Sequence, residues 1–194
     1  MLVNMKIFSR YSRNRFFFSV FFAALIAVSG FFIIPAGVIP VVLKNLFVVL
    51  AGTVLGGFYG ALAVFIFIAA GIIGIPVFVI GGGIGVFITP LGGYLAGYFF
   101  GSLAAGLICG TPKITEKKIT AFLLIRICLA SVSGFALILF CGVFYMMRLN
   151  SISFTAAMTA GFLPFIPGDL IKLAASIPLA LKLRPVTARY ISPE

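Results

Sequence analysis

The sequence predicts an all-α protein embedded in a membrane, with six transmembrane helices and a glycine-rich extracytoplasmic loop between helices 3 and 4. Of its 194 residues, 63% are hydrophobic, and the mean hydropathy is +1.31. A water-soluble domain of this length cannot bury so much apolar surface. The polar segments are too short to fold separately, so we expect the apolar runs to lie in lipid.

A basic segment, residues 1–15, opens the chain, and the apolar run Phe16–Ile34 follows it. A basic start before an apolar run is also typical of a cleaved signal peptide. At about 1.5 Å per residue, however, this run is long enough to cross a hydrocarbon layer of about 30 Å. We therefore predict that it is retained as the first helix.

A glycine-rich stretch separates the third and fourth predicted helices. Helices 2 and 3 are predicted over Val41–Phe58 and Tyr59–Ile75, after a turn at Pro35–Pro40. The next stretch, Pro76–Leu91, contains too much Gly and Pro for a secure helix, so we predict a lid or a close-packed re-entrant loop. Its glycines are Gly81, Gly82, Gly83 and Gly85. It lacks the GKS/T ending of a P-loop and the context of a Rossmann unit, so we expect no nucleotide binding.

The remaining apolar runs complete the six helices. Helices 4 and 5 are predicted over Gly92–Gly110 and Ile119–Met147, with the polar loop Thr111–Lys118 between them. The sixth segment, Phe154–Leu183, is interrupted by two prolines. Residues 16–183 thus form one transmembrane domain, and residues 184–194 form a polar cytoplasmic tail.

Basic residues are distributed unevenly between the two sides of this layout. With the N-terminus in the cytoplasm, the inner segments hold Lys6, Arg10, Arg13, Arg15, Lys113, Lys117, Lys118, Arg184 and Arg189, with Lys182 at the margin. The outer segments hold only Arg148. This asymmetry follows the positive-inside rule and predicts that both termini are cytoplasmic. Because the charges are spread over helix ends, the net charge of +11 indicates membrane anchoring and no nucleic-acid binding.

Four charged residues remain inside the predicted helices: Lys44, Arg126, Asp169 and Lys172. A charge at the centre of a bilayer costs roughly 3 to 17 kcal/mol, so such residues are paired, near an interface or functional. Arg126 lies about two turns from the cytoplasmic end of its helix and can reach the interface as an anchor. The other three lie in the outer half, on the same side as the glycine-rich loop.

The stretch PFIPGDLIK contains the most informative of these charges. Pro167 suits the first turn of a helix, and Gly168 permits close approach of a ligand or another backbone. Asp169 and Lys172 follow at a spacing that puts both on one helix face. We predict that a helix starts here at membrane depth and presents an acid and a base to a polar site. A structural ion pair that fixes helix packing is the alternative.

Small and sulfur-containing residues indicate packing more than chemistry. Gly93, Gly97 and Gly101 allow close contact between helices inside the protein, and Ala23 and Ala27 favour either packing or docking of a partner. The three cysteines, Cys109, Cys128 and Cys141, have no His or CxxC partner and fit packing roles. Without His, paired carboxylates or a nucleophile elbow, we predict no catalytic site, metal site or cofactor. Transport or binding is the better class.

Three stretches resemble motifs of the BioY family, the biotin-binding S components of energy-coupling factor transporters. The segment from Val77 to Tyr98 resembles PVF-(glycine-rich)-GPTGGYLxGF, with Thr89 and Leu91 where the family usually has Gly and Thr. Phe162–Lys172 resembles LPFLPGDxxK. Ile39–Leu46 resembles PITLQxL, with Val42 and Lys44 where the family usually has Thr and Gln.

The resemblance implies that the transmembrane domain binds biotin from outside a bacterial cell and carries it inward. Asp169 would accept a hydrogen bond from a ureido N–H group of biotin, and Lys172 would donate to the ureido carbonyl oxygen. Further contacts are expected from Tyr94, Asn45, and the backbone N–H groups of Gly92 and Gly93. Apart from the resemblance, the residues themselves predict that Lys44 or a helix N-terminus meets the carboxylate.

The resemblance also implies partners, because the chain has no ATP-binding motif of its own. A membrane coupling subunit and two ATPases would drive uptake, and Ala23 and Ala27 resemble the AxxxA contact that S components present to the coupling subunit. Two other functions fit the residues: a stand-alone transporter or facilitator for another small vitamin, and a membrane scaffold in which the pair Asp169–Lys172 is structural.

Overall fold

In the computed structural model, the described residues form helices and one pair of two-residue strands. The structure describes residues 2–34, 41–78, 81–114 and 120–192. The predicted turn at 35–40 and the second half of the predicted polar loop, residues 115–118, therefore lie outside the described residues. The elements are α1 (Leu2–Ser29), β1 (Ile33–Ile34), β2 (Val41–Val42), α2 (Lys44–Leu55), α3 (Gly57–Ile72), α4 (Leu91–Cys109), α5 (Ala121–Asn150), α6 (Phe154–Gly161) and α7 (Ile166–Ile191). Short 3₁₀ helices cover Ile84–Ile88 and Leu163–Phe165.

Three helical segments of the described part are long and apolar enough to cross a membrane: Leu91–Cys109, Ala121–Asn150 and Phe154–Ile191. The protein is therefore a multi-pass membrane protein. Helices α2 and α3 have only 12 and 16 residues, since Gly56, with φ at 86°, ends one and precedes the other. Both are shorter than the roughly 20 residues of a typical transmembrane helix. The count of six membrane crossings stays a prediction.

The glycine ladder of α4 packs against α5. A Cβ atom on Gly93 would lie 2.2 Å from the Cβ atom of Tyr145, and one on Gly97 or Gly101 would lie 2.8 Å from a backbone oxygen of Ile138 or Gly134. No real side chain tolerates such distances, so these glycines let the two helix backbones touch. The prediction that they serve internal packing is confirmed.

The break predicted in the sixth segment is present. Helix α6 ends at Gly161, a 3₁₀ turn follows, and α7 begins at Ile166 with Pro167 in its first turn. Pro fits this position because the N–H that it lacks has no partner within a helix at its start. Asp169 lies in the same first turn. The sequence therefore located the start of the helix that presents the acid and the base.

Helix α7 continues past Leu183, where the sequence suggested that a polar tail begins, to Ile191. Arg184 is fully buried, and its guanidinium group donates to the carbonyl oxygens of Thr53, Cys109 and Gly110. Carbonyl groups near the C-terminal ends of helices carry partial negative charge, which stabilises a cation there. The interpretation of Arg184 as an exposed tail residue is therefore corrected.

The first and last helices are joined near one end of the bundle. Asn14 of α1 donates a hydrogen bond to the carbonyl oxygen of Tyr190, 2.9 Å away, and Arg15 donates to that of Ile191, 2.7 Å away. The side chain of Ser192 bonds to the carbonyl oxygen of Pro112, ahead of α5. These contacts hold α7 against α1 and against the segment that connects α4 to α5.

Candidate functional site

A buried ion pair lies at the N-terminal end of α7. The ammonium group of Lys172 contacts Oδ1 of Asp169, and the two residues are 6% and 5% exposed. It is the only ion pair found among residues 2–34, 41–78, 81–114 and 120–192. The predicted spacing thus brings both side chains to one face of the helix.

Helix α2 and the strand before it supply further partners for this pair. Nδ2 of Asn45 donates to both oxygens of Asp169, at 3.2 and 3.4 Å, and Nζ of Lys172 donates to the carbonyl oxygen of Val42 at 3.2 Å. Buried charges are stable only when they are paired and hydrogen-bonded in this way. Asn45, Asp169 and Lys172 therefore form one polar cluster between α2 and α7.

The cluster retains some hydrogen-bonding capacity. An ammonium group has three donors, and Lys172 uses two of them, toward Asp169 and Val42. A carboxylate has about four acceptor positions, and those of Asp169 receive Lys172 and one shared amide of Asn45. Within the described part of the chain, one N–H donor of Lys172 and at least one acceptor position of Asp169 have no partner.

Lys44 is the first residue of α2 and is only 3% exposed. Its Nζ atom donates to the carbonyl oxygen of Val77 at 2.6 Å and lies 5.4 Å from the centre of the Phe67 ring. The side chain passes directly over Gly30, where a Cβ atom would lie 2.0 Å from its Cε atom. Its bonding partners are thus a carbonyl group and an aromatic face.

Two tyrosines of α4 border the polar cluster. The hydroxyl of Tyr94 donates to the carbonyl oxygen of Gly161 at 2.6 Å, and its ring lies 6.1 Å from that of Phe165. Tyr94 and Tyr98 both line a small cavity that Lys44 also borders. Tyr98 was not among the predicted site residues, although its position one helical turn after Tyr94 puts it on the same face.

Gly92 and Gly93 have contacts within the chain. The backbone N–H of Gly92 donates to the carbonyl oxygen of Thr89 at 3.1 Å. The lack of a side chain at Gly93 leaves room for the side chain of Tyr145. Both residues are buried. Their backbone contact with a ligand stays a prediction, and packing explains why neither position carries a side chain.

The glycine-rich segment folds back onto the end of α3. The N–H of Gly83 donates to the carbonyl oxygen of Gly71 at 2.7 Å, and Gly82 is so close to Gly74 that a Cβ atom would lie 2.6 Å from its carbonyl oxygen. Gly81 and Gly83 have φ near 105°, a conformation that favours glycine. A Cβ atom on Gly85 would meet nothing within 4 Å.

Two cavities adjoin the polar residues. A small one, of about 30 Å³, is bounded by Lys44, Phe78, Val86, Leu91, Tyr94, Leu95 and Tyr98. A larger one, of about 740 Å³, lies between α5, α6 and α7 and has Asp169 in its wall. The remaining wall of the larger cavity is almost wholly apolar and includes Val132, Phe140 and Leu170, which are exposed on the outer surface.

The small residues of α1 are not equivalent. Ala23 is 5% exposed and packs into the protein's own core, whereas Ala27 is half-buried at its edge. The outward face of α1 carries Phe17, Phe21 and Val28. In this structure a partner can reach those three side chains but not Ala23, because neighbouring helices cover it.

The sequence matches a known family over nearly its whole length. A sequence model described as "BioY family" matches residues 5–189. Among similar proteins, "Biotin transporter BioY" of Thermotoga maritima is 37% identical over 164 residues, which make up 84% of this chain and 91% of that protein. "Biotin transporter BioY" of Rhodobacter capsulatus is 40% identical over an alignment of 164 residues, and the alignment covers 80% of this chain and 85% of that protein.

A solved structure supports the same relationship. It is described as the S-component for biotin from an ECF-type ABC transporter, determined by crystallography. The two structures superpose with a TM-score of 0.73 and 29% sequence identity, and the match covers 95% of this chain and 94% of the other. Fold and sequence therefore agree.

Proposed function

This chain belongs to the BioY family, and on that premise we propose that it is a membrane subunit that binds biotin and takes it into the cell. It is a transport component and not an enzyme. We further propose that biotin is captured from the extracytoplasmic side of a bacterial cell membrane, with both termini of the chain in the cytoplasm. The unequal distribution of Lys and Arg supports this orientation.

The polar cluster between α2 and α7 is the single observation that carries the site assignment. Biotin presents two ureido N–H donors and one carbonyl acceptor on an otherwise apolar ring. The free acceptor capacity of Asp169 matches the donors, and the unused N–H of Lys172 matches the acceptor. Charge-assisted bonds of this kind gain strength in a site screened from water.

We infer that the ligand binds on the side of the smaller cavity. Lys44, Tyr94 and Tyr98 border that cavity, whereas the larger one has an apolar wall that opens toward lipid. Small-molecule sites combine apolar walls with a few converging polar groups. At about 30 Å³ the smaller cavity holds about one water molecule, and Asp169 lines only the larger one. The smaller cavity must therefore widen toward Asp169 to admit biotin.

The glycine-rich segment is the element that we propose to move. Phe78 and Val86 flank its glycines and form one wall of the small cavity. Displacing Gly81, Gly82, Gly83 and Gly85 as a lid would enlarge that cavity without changing the contact between α4 and α5. Gly92 and Gly93, at the start of α4, would then lie beside the ligand.

We also propose that uptake depends on other subunits, a membrane coupling protein and two ATPases. The structural relative is described as part of an ECF-type ABC transporter, which supports this assembly. The docking surface would be α1. Because Ala23 is covered, we propose that Ala27 and the neighbouring outward side chains contribute more than Ala23 does.

Binding of radiolabelled biotin to the purified protein tests the proposed site. Asp169→Asn and Lys172→Ala should each weaken binding by roughly 30-fold or more, since removing one partner of a buried charged pair costs about 2 to 5 kcal/mol. Lys182→Ala is the matched control, because Lys182 is exposed on the same helix. Size-exclusion chromatography and thermal unfolding should show that all the variants are folded.

A structural role for the ion pair is the second candidate, favoured by the bonds that every member of the cluster makes within the chain. In that case Asp169→Asn and Lys172→Ala would unfold the protein. Folded variants that bind biotin as the wild type does would exclude the cluster from the site. Tight binding of another vitamin, with none of biotin, would support a different transport function.

A further inference from the structure

Lys44 is a strongly buried cation that has no carboxylate partner within the described part of the chain. Asp169, the only acidic residue among 2–34, 41–78, 81–114 and 120–192, is bonded to Lys172 and Asn45 instead. The Nζ atom of Lys44 has a carbonyl oxygen and an aromatic face. Its charge is therefore solvated by dipoles but is not neutralised.

The position of Lys44 makes this charge more costly. A helix N-terminus carries partial positive charge and favours anions, yet the first residue of α2 is a lysine. Burial of an ammonium group without an opposite charge is strongly unfavourable. Both effects would be relieved by an anion that enters the small cavity beside Nζ, where the ammonium group has donors to spare.

Lys44 and Asn45 are consecutive residues on the first turn of α2, so their side chains diverge by about 100°. Asn45 points to Asp169, and Lys44 points to the carbonyl oxygen of Val77 and to the small cavity. The first turn of α2 therefore contributes one side chain to the polar cluster and one to the small cavity. The first suits a ureido group, and the second suits an anionic group on the same ligand.

We propose that Lys44 recognises the carboxylate of the ligand, so that the protein takes biotin as the free acid and discriminates against derivatives whose carboxyl group is esterified or amidated. This inference rests on the proposed function and adds the anionic group that the site selects. The bond from Lys44 to Val77 also links this selection to the glycine-rich segment. An arriving carboxylate would share the ammonium group with the carbonyl oxygen at the start of that segment.

Equilibrium binding of biotin and of biotin methyl ester to the purified wild-type protein is the primary test. We expect biotin to bind roughly 10- to 100-fold more tightly than the ester, as for a charge-assisted hydrogen bond in a buried site. Equal affinities would overturn the proposal. This comparison needs no variant, so it remains decisive if substitutions at residue 44 impair folding.

Lys44→Gln should weaken biotin binding until biotin and the ester bind alike, and it should change the affinity for the ester by less than about 3-fold. Lys44→Arg keeps the charge and should keep the preference for biotin. Arg126→Gln removes a half-buried cation near the start of α5. It is the matched control and should leave the affinity for both ligands unchanged.

The outcomes separate this inference from the proposed function. If the wild type binds neither ligand, the proposed function fails and this inference fails with it. If the wild type binds biotin but Lys44→Gln weakens the binding of biotin and of the ester equally, only this inference fails. Lys44 would then contact the ring of biotin or stabilise the fold, without recognising the carboxylate. A preference for biotin that survives in Lys44→Gln would also overturn it.

Discussion

The amide of Asn45 donates to both carboxylate oxygens of Asp169, and the two residues are 124 positions apart in the sequence. This contact joins the first turn of α2 to the first turn of α7. The carboxylate thus lies in the first turn of one helix, where the helix dipole favours an anion, and receives the Asn45 amide from the first turn of the other. The arrangement explains how an acid is tolerated in so apolar a chain.

Asn45→Leu should weaken biotin binding by roughly 10-fold or more, since a hydrogen bond to a charged group contributes about 1.5 to 3 kcal/mol. The physical reason is that Asp169 would lose the group that orients it beside Lys172. Equilibrium dialysis with labelled biotin measures the effect. Asn14→Leu, which removes a side-chain hydrogen bond at the opposite end of the bundle, should bind biotin with the affinity of the wild type. Unchanged affinity of Asn45→Leu would show that this amide does not shape the site.

Gly30→Ala should reduce the preference for biotin over its methyl ester. A Cβ atom at residue 30 would occupy the place of the Lys44 Cε atom, 2.0 Å away, and would push the ammonium group out of position. Parallel binding curves for the two ligands measure this preference. Lys182→Ala is the control, because this exposed residue of α7 lines neither cavity. An unchanged preference would mean that Lys44 has room to move without losing its function.

Val86→Phe should abolish measurable biotin binding, because a larger side chain would fill the small cavity beside Lys44 and Tyr94. Ala136→Phe, in the wall of the larger cavity, should leave binding within about 3-fold of the wild type. Calorimetric titration of both variants measures the difference. The reverse result would move the ligand to the cavity between α5, α6 and α7.

Arg184→Met should lower the thermal unfolding temperature in detergent without a comparable loss of biotin affinity at low temperature. The substitution leaves the carbonyl groups of Thr53 and Gly110 without their guanidinium donor. Each unsatisfied buried group lowers the free energy of unfolding by about 1 to 3 kcal/mol. Residues 169 and 184 are separated by about 22 Å of helix. Arg189→Met, exposed on the same helix, should unfold as the wild type does. Equal stability of the two variants would contradict a structural role for Arg184.

The helical class, the break before α7 and the packing of α4 on α5 could be predicted because local sequence determines them. Pro167 and Gly168 define a helix start through backbone geometry, and Gly93, Gly97 and Gly101 mark a face through their spacing. Asp169 and Lys172 could be identified as candidate site residues because a charged residue in an apolar run is costly unless it is paired or functional.

The contacts of Arg184, Gly92 and Tyr98 could not be predicted in the same way. Hydropathy treats Arg184 as the start of a polar tail, whereas its burial depends on carbonyl groups of α2 and α4 that only the tertiary structure brings together. The hydrogen bond from the N–H of Gly92 to the carbonyl oxygen of Thr89 belongs to a local turn that the residue types do not specify. Tyr98 lies one helical turn after Tyr94, but no rule of spacing identifies the cavity that both side chains line together with Lys44.

The hydrogen bonds from Asn14 and Arg15 to the carbonyl oxygens of Tyr190 and Ile191 have a practical consequence for recombinant work. A shortened gene ending where hydropathy falls, after Leu183, would delete both acceptors and the buried guanidinium together. The opening helix would then lose its anchor to the closing one. Truncations and fusions should therefore leave the final turn of α7 intact.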